Sequence, residues 1–206
     1  MSTGRLITIE GIDGVGKTTL AAALDARLRS AGVPVQLLRE PGGVRTSEQI
    51  RGVVMDPELK IGARAEALLY AAARAQLVQE AVAPLLGQGT WVLLDRFVDS
   101  SLAYQGGGRE LGLEGVSLIN EFATGGLKPD RTLLLVLDLA LARARSQDRQ
   151  QPLDRLEQEQ QDFFVRTGDA YLELAAREPD RVTVIAADAA PEEVLNRAWE
   201  AVSDLL

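Results

Sequence analysis

The sequence predicts an α/β fold in which one five-stranded parallel sheet is flanked by helices. Apolar runs rich in β-branched residues alternate with stretches of helical periodicity along the whole chain, which indicates βαβ units wound right-handedly about one sheet. Two of the runs, Trp91–Asp95 and Thr132–Asp138, are almost continuously apolar, as is typical of parallel strands covered on both faces. A length of 206 residues suits one such domain, which we expect to span residues 1–206.

The first half of the chain is predicted to alternate regularly between strands and helices. A β-branched run stops at a glycine-rich turn, after which apolar residues recur at helical spacing, and glycine and proline separate the segments that follow. In chain order the predicted elements are strand Leu6–Ile9, helix Lys17–Ser30, strand Val35–Leu38, helix Ser47–Val54, helix Ala63–Leu86 and strand Trp91–Asp95.

The second half continues the pattern less regularly. Strand Thr132–Asp138 is followed by strand Val182–Ile185 and by a helix whose first turn is predicted at Pro191–Glu193, since proline is favoured at that position. Two stretches, Tyr104–Arg109 and Arg143–Gln151, fall outside the alternation. We expect both to be loops that close over a ligand.

Composition narrows the classes of function. The chain has no signal peptide and no stretch of about 18 uninterrupted apolar residues, so we expect a cytoplasmic protein with no membrane partner. It has neither cysteine nor histidine, which excludes a thiolate zinc site and an imidazole base. A formal net charge of -8 argues against generic binding to nucleic acid, although a few clustered arginines could still hold a small anionic substrate.

A phosphate-binding motif follows the first strand. The segment from Gly11 to Thr18 fits the pattern G-x-x-x-x-G-K-[ST], and it lies directly between a predicted strand and a predicted helix. In this motif backbone N–H groups converge on phosphate oxygens, Lys17 reaches the β- and γ-phosphates and the Thr18 hydroxyl binds Mg²⁺. The alternative is an ordinary glycine-rich turn with a solvent-facing lysine. We therefore predict a three-layer sandwich of the P-loop nucleoside triphosphate hydrolase type.

Asp95 and Arg96 end the third predicted strand, at the carboxyl edge where parallel α/β sheets place ligands. Asp95 could hold Mg²⁺ or one of its waters, and Arg96 could bridge the donor and acceptor phosphates. The alternative is an aspartate that caps the next turn beside a surface arginine. No Asn-Lys-x-Asp segment is present, so a GTPase is not indicated.

Several segments, taken together in this order and spacing, resemble the bacterial thymidylate kinase family. The similarity covers nearly the full chain and is carried by Glu10–Thr19, Arg39–Gly43, Tyr70–Gln76, Asp95–Phe97, Ser100–Ser101, Tyr104–Arg109 and Leu153–Glu157. The resemblance implies transfer of the γ-phosphate of ATP to dTMP with Mg²⁺ as cofactor. It also implies a homodimer formed through helices like those at Ser47–Val54 and Ala63–Leu86.

The resemblance implies roles for individual residues. The catalytic residues would be Lys17, Arg96, Asp13, Arg149 and Glu157. ATP would be bound by Gly11, Ile12, Asp13, Gly14, Val15, Gly16, Lys17, Thr18, Thr19 and Arg145, with Thr18 and Asp95 on the metal. The residues implied for dTMP are Asp13, Glu40, Pro41, Arg51, Tyr70, Arg74, Arg96, Ser100, Ser101, Tyr104 and Gln105.

Two of these positions combine the resemblance with local geometry. Tyr70 stands where the family usually has a phenylalanine stacked on thymine, and Arg74 lies one helical turn later on the same face, where it could donate to the base O4. An ordinary core aromatic is the alternative for Tyr70. Asp13 resembles the family carboxylate that faces the 3′-hydroxyl and phosphate of the acceptor; the alternative is an acid favoured by the helix dipole.

The region of about 142–157 resembles the flexible lid of the family. Members without an arginine in the phosphate loop supply one from the lid, and this loop has none. We expect Arg149 to contact the transferred phosphoryl group, with Arg145 as second choice, and Glu157 to orient Arg96 or a water on Mg²⁺. Either arginine could instead belong to a solvated basic helix face.

Two other classes remain open at this point. One is a deoxynucleoside kinase or another nucleoside monophosphate kinase. A deoxynucleoside kinase would phosphorylate a neutral hydroxyl and typically carries Glu-Arg-Ser where this chain has Asp95-Arg96-Phe97. A nucleotide-binding switch or assembly ATPase would bind ATP without any monophosphate acceptor.

Overall fold

The computed structural model describes residues 4–147 and 155–206 and confirms the predicted fold class. Five strands form one parallel sheet in the order β2-β3-β1-β4-β5. Their bounds are β1 Leu6–Glu10, β2 Val35–Arg39, β3 Trp91–Asp95, β4 Arg131–Val136 and β5 Val182–Ala186.

Strand β1 lies at the centre of the sheet, and all of its residues are buried. Ile9 pairs with Asp95 of β3 on one side and with Leu133 of β4 on the other. The loop that follows β1 therefore leaves the sheet beside the end of β3. This register places the phosphate-loop segment next to Asp95 and Arg96.

Helices cover the sheet, with a large apolar cluster between β1, β3, β4 and the helices that include α1 and α8. The α-helices are α1 Lys17–Ser30, α2 Arg45–Met55, α3 Ala63–Leu77, α4 Ala83–Gly87, α5 Val98–Ser101, α6 Leu113–Thr124, α7 Leu139–Gln147, α8 Gln161–Arg177 and α9 Pro191–Glu200. Two π-helical segments, Val78–Val82 and Leu102–Gly108, and a short 3₁₀ helix, Ser203–Leu205, complete the elements. In the described ranges no helix combines the length and the apolar character needed to cross a bilayer.

The helix predicted over Ala63–Leu86 is present but is interrupted by the π-helical turn Val78–Val82. Pro84 follows this turn at the start of α4. Proline has no N–H for the usual bond to the preceding turn and clashes with its carbonyl, so a widened turn before it relieves the conflict.

The prediction of a loop at Tyr104–Arg109 is wrong, because most of this segment is π-helical. Its glycines allow α8 to pack closely: a Cβ at Gly107 would lie 2.5 Å from the Ala170 Cβ, and one at Gly108 would lie 2.6 Å from the Phe163 ring. Glycine here therefore serves close helix packing, whereas we had interpreted it as a loop signal.

The predicted loop Arg143–Gln151 is also wrong in its first part, since α7 continues to Gln147; residues 148–154 lie outside the described part of the chain. Helices α6 and α8 had no counterpart among the predicted elements. Helix α8 buries Phe163, Tyr171 and other side chains against the π-helical segment and the core.

Candidate active site

One deep cleft of about 770 Å³ opens at the carboxyl end of the sheet. Most of the predicted site residues in the described ranges line it: Asp13, Gly14, Val15, Gly16, Lys17, Thr18, Thr19, Glu40, Pro41, Arg51, Tyr70, Arg74, Asp95, Arg96, Ser100, Ser101, Tyr104, Gln105, Arg145 and Glu157. Gly11 and Ile12 do not line it; their carbonyl oxygens accept hydrogen bonds from Arg96 and Lys17. Arg149 lies outside the described residues.

The phosphate loop depends on glycines in left-handed backbone conformations. Gly14 has φ 85°, and a Cβ there would lie 1.9 Å from the Ala142 carbonyl oxygen. Gly16, with φ 100°, caps the N-terminus of α1. No other residue type adopts these conformations at so little cost, and the resulting turn directs the loop amides and the positive end of α1 into the cleft.

Lys17 is buried at the first turn of α1 and donates to the Ile12 carbonyl at 2.8 Å. Burial and the nearby Arg96 lower the pKa of Lys17 to about 8, although the carboxylate of Asp13, 3.8 Å away, opposes the change. An anion entering the loop would restore a strong preference for the protonated amine.

Thr18 and Asp95 meet across the sheet edge. The Thr18 hydroxyl donates to Asp95 Oδ2 at 2.9 Å, joining the first turn of α1 to the end of β3. A hydroxyl and one carboxylate are oxygen ligands of the kind that Mg²⁺ takes when triphosphate oxygens and water fill its remaining positions. The pair thus fits the metal role implied by the sequence.

Arg96 stands at the centre of the cleft in a left-handed conformation, with φ 73°. Its guanidinium donates to Asp13 Oδ1 at 2.5 Å, to the Gly11 carbonyl at 3.0 Å and to the Tyr104 hydroxyl at 3.2 Å. Burial raises the pKa of Asp13, but the charges of Arg96 and Lys17 outweigh it and hold that pKa below its usual range. Ionised Asp13 and charged Arg96 therefore face the cleft as a pair.

The network beneath Arg96 contains a residue whose role the sequence analysis missed. Glu10 is fully buried, accepts from the Phe97 N–H at 2.7 Å and from the hydroxyls of Ser100 at 2.6 Å and Tyr171 at 3.0 Å. Burial, and secondly repulsion by Asp99, raise the pKa of Glu10 to about 7. The available signal was a carboxylate at the end of an otherwise apolar strand, which has to find buried partners.

At the other end of the cleft, Tyr70 and Arg74 line one wall together, as the spacing predicted. Arg74 is nevertheless only 2% exposed, and its guanidinium already bonds protein groups: Glu40, Ser101, Asn120 and the Phe97 carbonyl. Four of its five N–H groups donate in these bonds, and Nη2 also lies 2.6 Å from Glu40 Oε2, so donation to a base would require an exchange or sharing of one of these contacts. Donation from Arg74 to the base O4 stays a prediction.

Arg51, which the resemblance implies for dTMP, and the neighbouring Arg39 are both held by protein oxygens. Arg39 forms an exposed ion pair with Glu48 at 2.9 Å and donates to the Pro41 carbonyl, and Arg51 donates to the same carbonyl at 3.1 Å. Both line the cleft. Arg51 is the less exposed of the two, and its contact with dTMP stays a prediction.

The structure describes both edges of the predicted lid, residues up to 147 and residues from 155 onward. Arg145 of α7 donates to the Ala187 carbonyl at 3.3 Å, beside Pro191 at the start of α9. Ser146 donates to Glu157 Oε1 at 3.1 Å. This brings Arg145, which the resemblance implies for ATP, to the loop that follows β5.

Known proteins of one family are similar to this chain over nearly its whole length. A family model described as "Thymidylate kinase" matches residues 9–198. The thymidylate kinase of Deinococcus radiodurans is 48% identical over 204 residues, covering 99% of this chain and 98% of that protein. The thymidylate kinases of Neisseria meningitidis serogroup B and Lacticaseibacillus casei are each 45% identical, over 93% and 98% of this chain and 93% and 96% of their own length. The chain therefore belongs to the thymidylate kinase family.

Proposed function

We propose that the cleft binds MgATP over the phosphate loop and dTMP beside Tyr70, and that it transfers the γ-phosphoryl group in line to a phosphate oxygen of dTMP. This is the reaction of a thymidylate kinase, a nucleoside monophosphate kinase that supplies dTDP for dTTP synthesis, and ATP and dTMP are the substrates that the family implies. The observation that carries the residue assignments is the position of Arg96, whose guanidinium lies between the phosphate loop and the Ser100–Gln105 segment.

Charge neutralisation and positioning account for the chemistry. The acceptor oxygen is already anionic, so no strong base is needed, in agreement with the absence of histidine. Lys17 and Arg96 would stabilise the negative charge on the transferring group. Thr18 and Asp95 would hold Mg²⁺, which when bound neutralises charge on the β- and γ-phosphates. Arg149 and Glu157 keep the roles proposed from the resemblance.

The acceptor end favours a pyrimidine deoxynucleotide. Tyr70 would stack on the base, while Ser101 and Gln105 offer hydrogen-bonding groups beside it. The Tyr104 hydroxyl donates to Asp13 Oδ2 at 2.9 Å, which fixes its ring where the sugar would lie. A ring in that place would oppose a ribose 2′-hydroxyl.

We also propose a cytoplasmic homodimer. Helices α3 and α6 pack together and expose large apolar side chains: Leu68 is 55% exposed, Leu118 64% and Phe122 90%. Leu118 and Phe122 share one face of α6, being four residues apart. A second copy covering this face would remove the apolar area from water, and Phe122→Glu should shift the sedimentation coefficient toward that of a monomer.

A single assay tests the function. ADP release is coupled to a spectrophotometric readout with dTMP, dUMP, dCMP, thymidine or no acceptor. We expect turnover with dTMP well above turnover without an acceptor. Preference for thymidine would indicate a deoxynucleoside kinase, and ADP release independent of every acceptor would indicate an ATPase and contradict the proposal.

A further inference from the structure

Glu66 of α3 is a buried carboxylate that lies behind the cleft wall. It has no exposed surface and is contacted by three side chains from elsewhere in the chain, two through hydrogen bonds and the third through an ion pair. Gln105 Nε2 donates to Oε1 at 2.9 Å, Arg109 reaches both oxygens at 3.3 and 3.1 Å, and Arg155 Nη2 lies 2.6 Å from Oε2. A carboxylate at this depth is tolerated only when it is paired so completely.

The residues joined by Glu66 belong to opposite sides of the cleft. Gln105 lines the end assigned to dTMP, whereas Arg155 directly precedes Leu156 and Glu157, which line the cleft toward the donor side. Arg155 also donates from Nε to the Val54 carbonyl at 3.0 Å, near the end of α2. One carboxylate thus connects the acceptor wall with the segment that leads to Glu157.

Glu66 also determines which end of the Gln105 amide faces the cleft. An ionised carboxylate only accepts hydrogen bonds, so the NH₂ end of the amide must turn toward it. The carbonyl oxygen of Gln105 is then left for the cleft side. A ligand that bonds to this oxygen would help to fix the Gln105 amide. The NH₂ end of that amide is held by Glu66, which also pairs with Arg155.

We propose that Glu66 is a positioning residue that couples dTMP binding to the placement of Arg155, Leu156 and Glu157 at the ATP side. The inference rests on the proposed function, because it takes dTMP as the ligand beside Gln105. Binding of either nucleotide then favours the arrangement of Gln105 and Arg155 about Glu66 that the other nucleotide requires. By thermodynamic linkage, dTMP changes the affinity for ATP by the same factor as ATP changes the affinity for dTMP.

The test measures coupling between the two nucleotides in the full chain. The dissociation constant of dTMP is determined with and without an imido-bridged ATP analogue that cannot be hydrolysed, and that of the analogue with and without dTMP. We expect each ligand to tighten the other by about tenfold in the unaltered protein and by less than about twofold in Glu66→Gln. Each nucleotide alone should bind the variant within about threefold of the unaltered protein, because Glu66 does not itself line the cleft.

Two further variants keep the result decisive. Arg155→Gln breaks the same link from its less buried side, so it decides the question if Glu66→Gln does not fold. Asp99→Asn removes another buried carboxylate, whose bonds to Arg181 are both 2.8 Å and which does not line the cleft. It should lower stability and leave the coupling intact.

The outcomes separate clearly. The inference is overturned if coupling survives in Glu66→Gln or Arg155→Gln. It is also overturned if the unaltered protein shows no coupling, or if Asp99→Asn loses it equally. None of these results bears on whether dTMP is phosphorylated, which the ADP-release assay decides separately.

Discussion

Replacing Glu10 by Gln should change how the stability of the protein depends on pH. Glu10 is fully buried, and burial raises its pKa from 4.5 to about 7. The native state therefore binds this proton more tightly than the unfolded chain. Its contribution to stability is fully present below pH 4.5 and is lost as the pH rises through about 7. Glutamine is neutral throughout and should not show this loss.

The size of the effect follows from the two pKa values. At about 1.4 kcal/mol for each pH unit between them, ionisation of Glu10 costs the native state roughly 3 kcal/mol above pH 7. The amide cannot reproduce every bond that Glu10 accepts from Phe97, Ser100 and Tyr171. That loss lowers the stability of the variant by about 1–3 kcal/mol at every pH. The pKa of Glu10 is therefore tested by how the difference in unfolding free energy changes with pH, and not by its absolute value.

The measurement is urea unfolding of both proteins without nucleotides, at intervals between about pH 4.5 and 8, with m-values compared to exclude a change in the unfolded state. The free energy of unfolding of Glu10→Gln minus that of the unaltered protein should rise by roughly 3 kcal/mol across this range. Titrations of carboxyl groups that do not interact with Glu10 cancel in the difference. A difference that stays flat would show that Glu10 titrates normally and would refute the reasoning.

Three further predictions concern the cleft. ATP binding near pH 9 should be accompanied by uptake of about one proton by Lys17, because its pKa of about 8 rises beside phosphate. The calorimetric heat of ATP binding should then vary with the ionisation enthalpy of the buffer. This dependence should be absent in Lys17→Met. Loss of stacking in Tyr70→Ala should raise the Kd of dTMP about 5- to 150-fold and spare ATP, with Tyr70→Phe close to unaltered; equal affinities would place the base elsewhere. Arg74→Ala should cost about 3–5 kcal/mol in urea unfolding by leaving buried Glu40 without its counter-ion, whereas Arg39→Ala, which breaks an exposed pair, should cost less than about 1 kcal/mol; similar losses would contradict this account.

Local patterns in the sequence were sufficient to predict the frame of the site. Continuous apolar runs predicted β3 and β4, and the position of Gly11–Thr18 between a strand and a helix predicted the phosphate loop. Parallel strands end at one edge, which places Asp95 near the phosphate loop, and Asp95 does accept a 2.9 Å hydrogen bond from Thr18. Spacing along a helix placed Tyr70 and Arg74 on one wall.

Contacts between distant segments could not be predicted in this way. The bond from Tyr171 to Glu10 joins residues 161 positions apart, and no periodicity in either segment points to the other. The glycines at Tyr104–Arg109 are typical of a loop when only the local sequence is considered. Their role in close packing is visible only once α8 is placed against them, and no local pattern predicted α8. Glu66 is an acidic residue in the first turn of a helix, which ordinarily indicates solvent exposure.

The strained backbone conformation of Arg96 has a consequence for attempts to stabilise the protein. A residue other than glycine at φ 73° costs of order 1–3 kcal/mol, a burden that persists where surrounding contacts over-determine it. Glycine at this position would relax the backbone, but it would also remove the guanidinium that pairs with Asp13 and leave that part-buried carboxylate without its counter-ion. A programme to raise the melting temperature of this protein should therefore keep arginine at position 96, because the contacts that hold the strained backbone also place the guanidinium in the cleft.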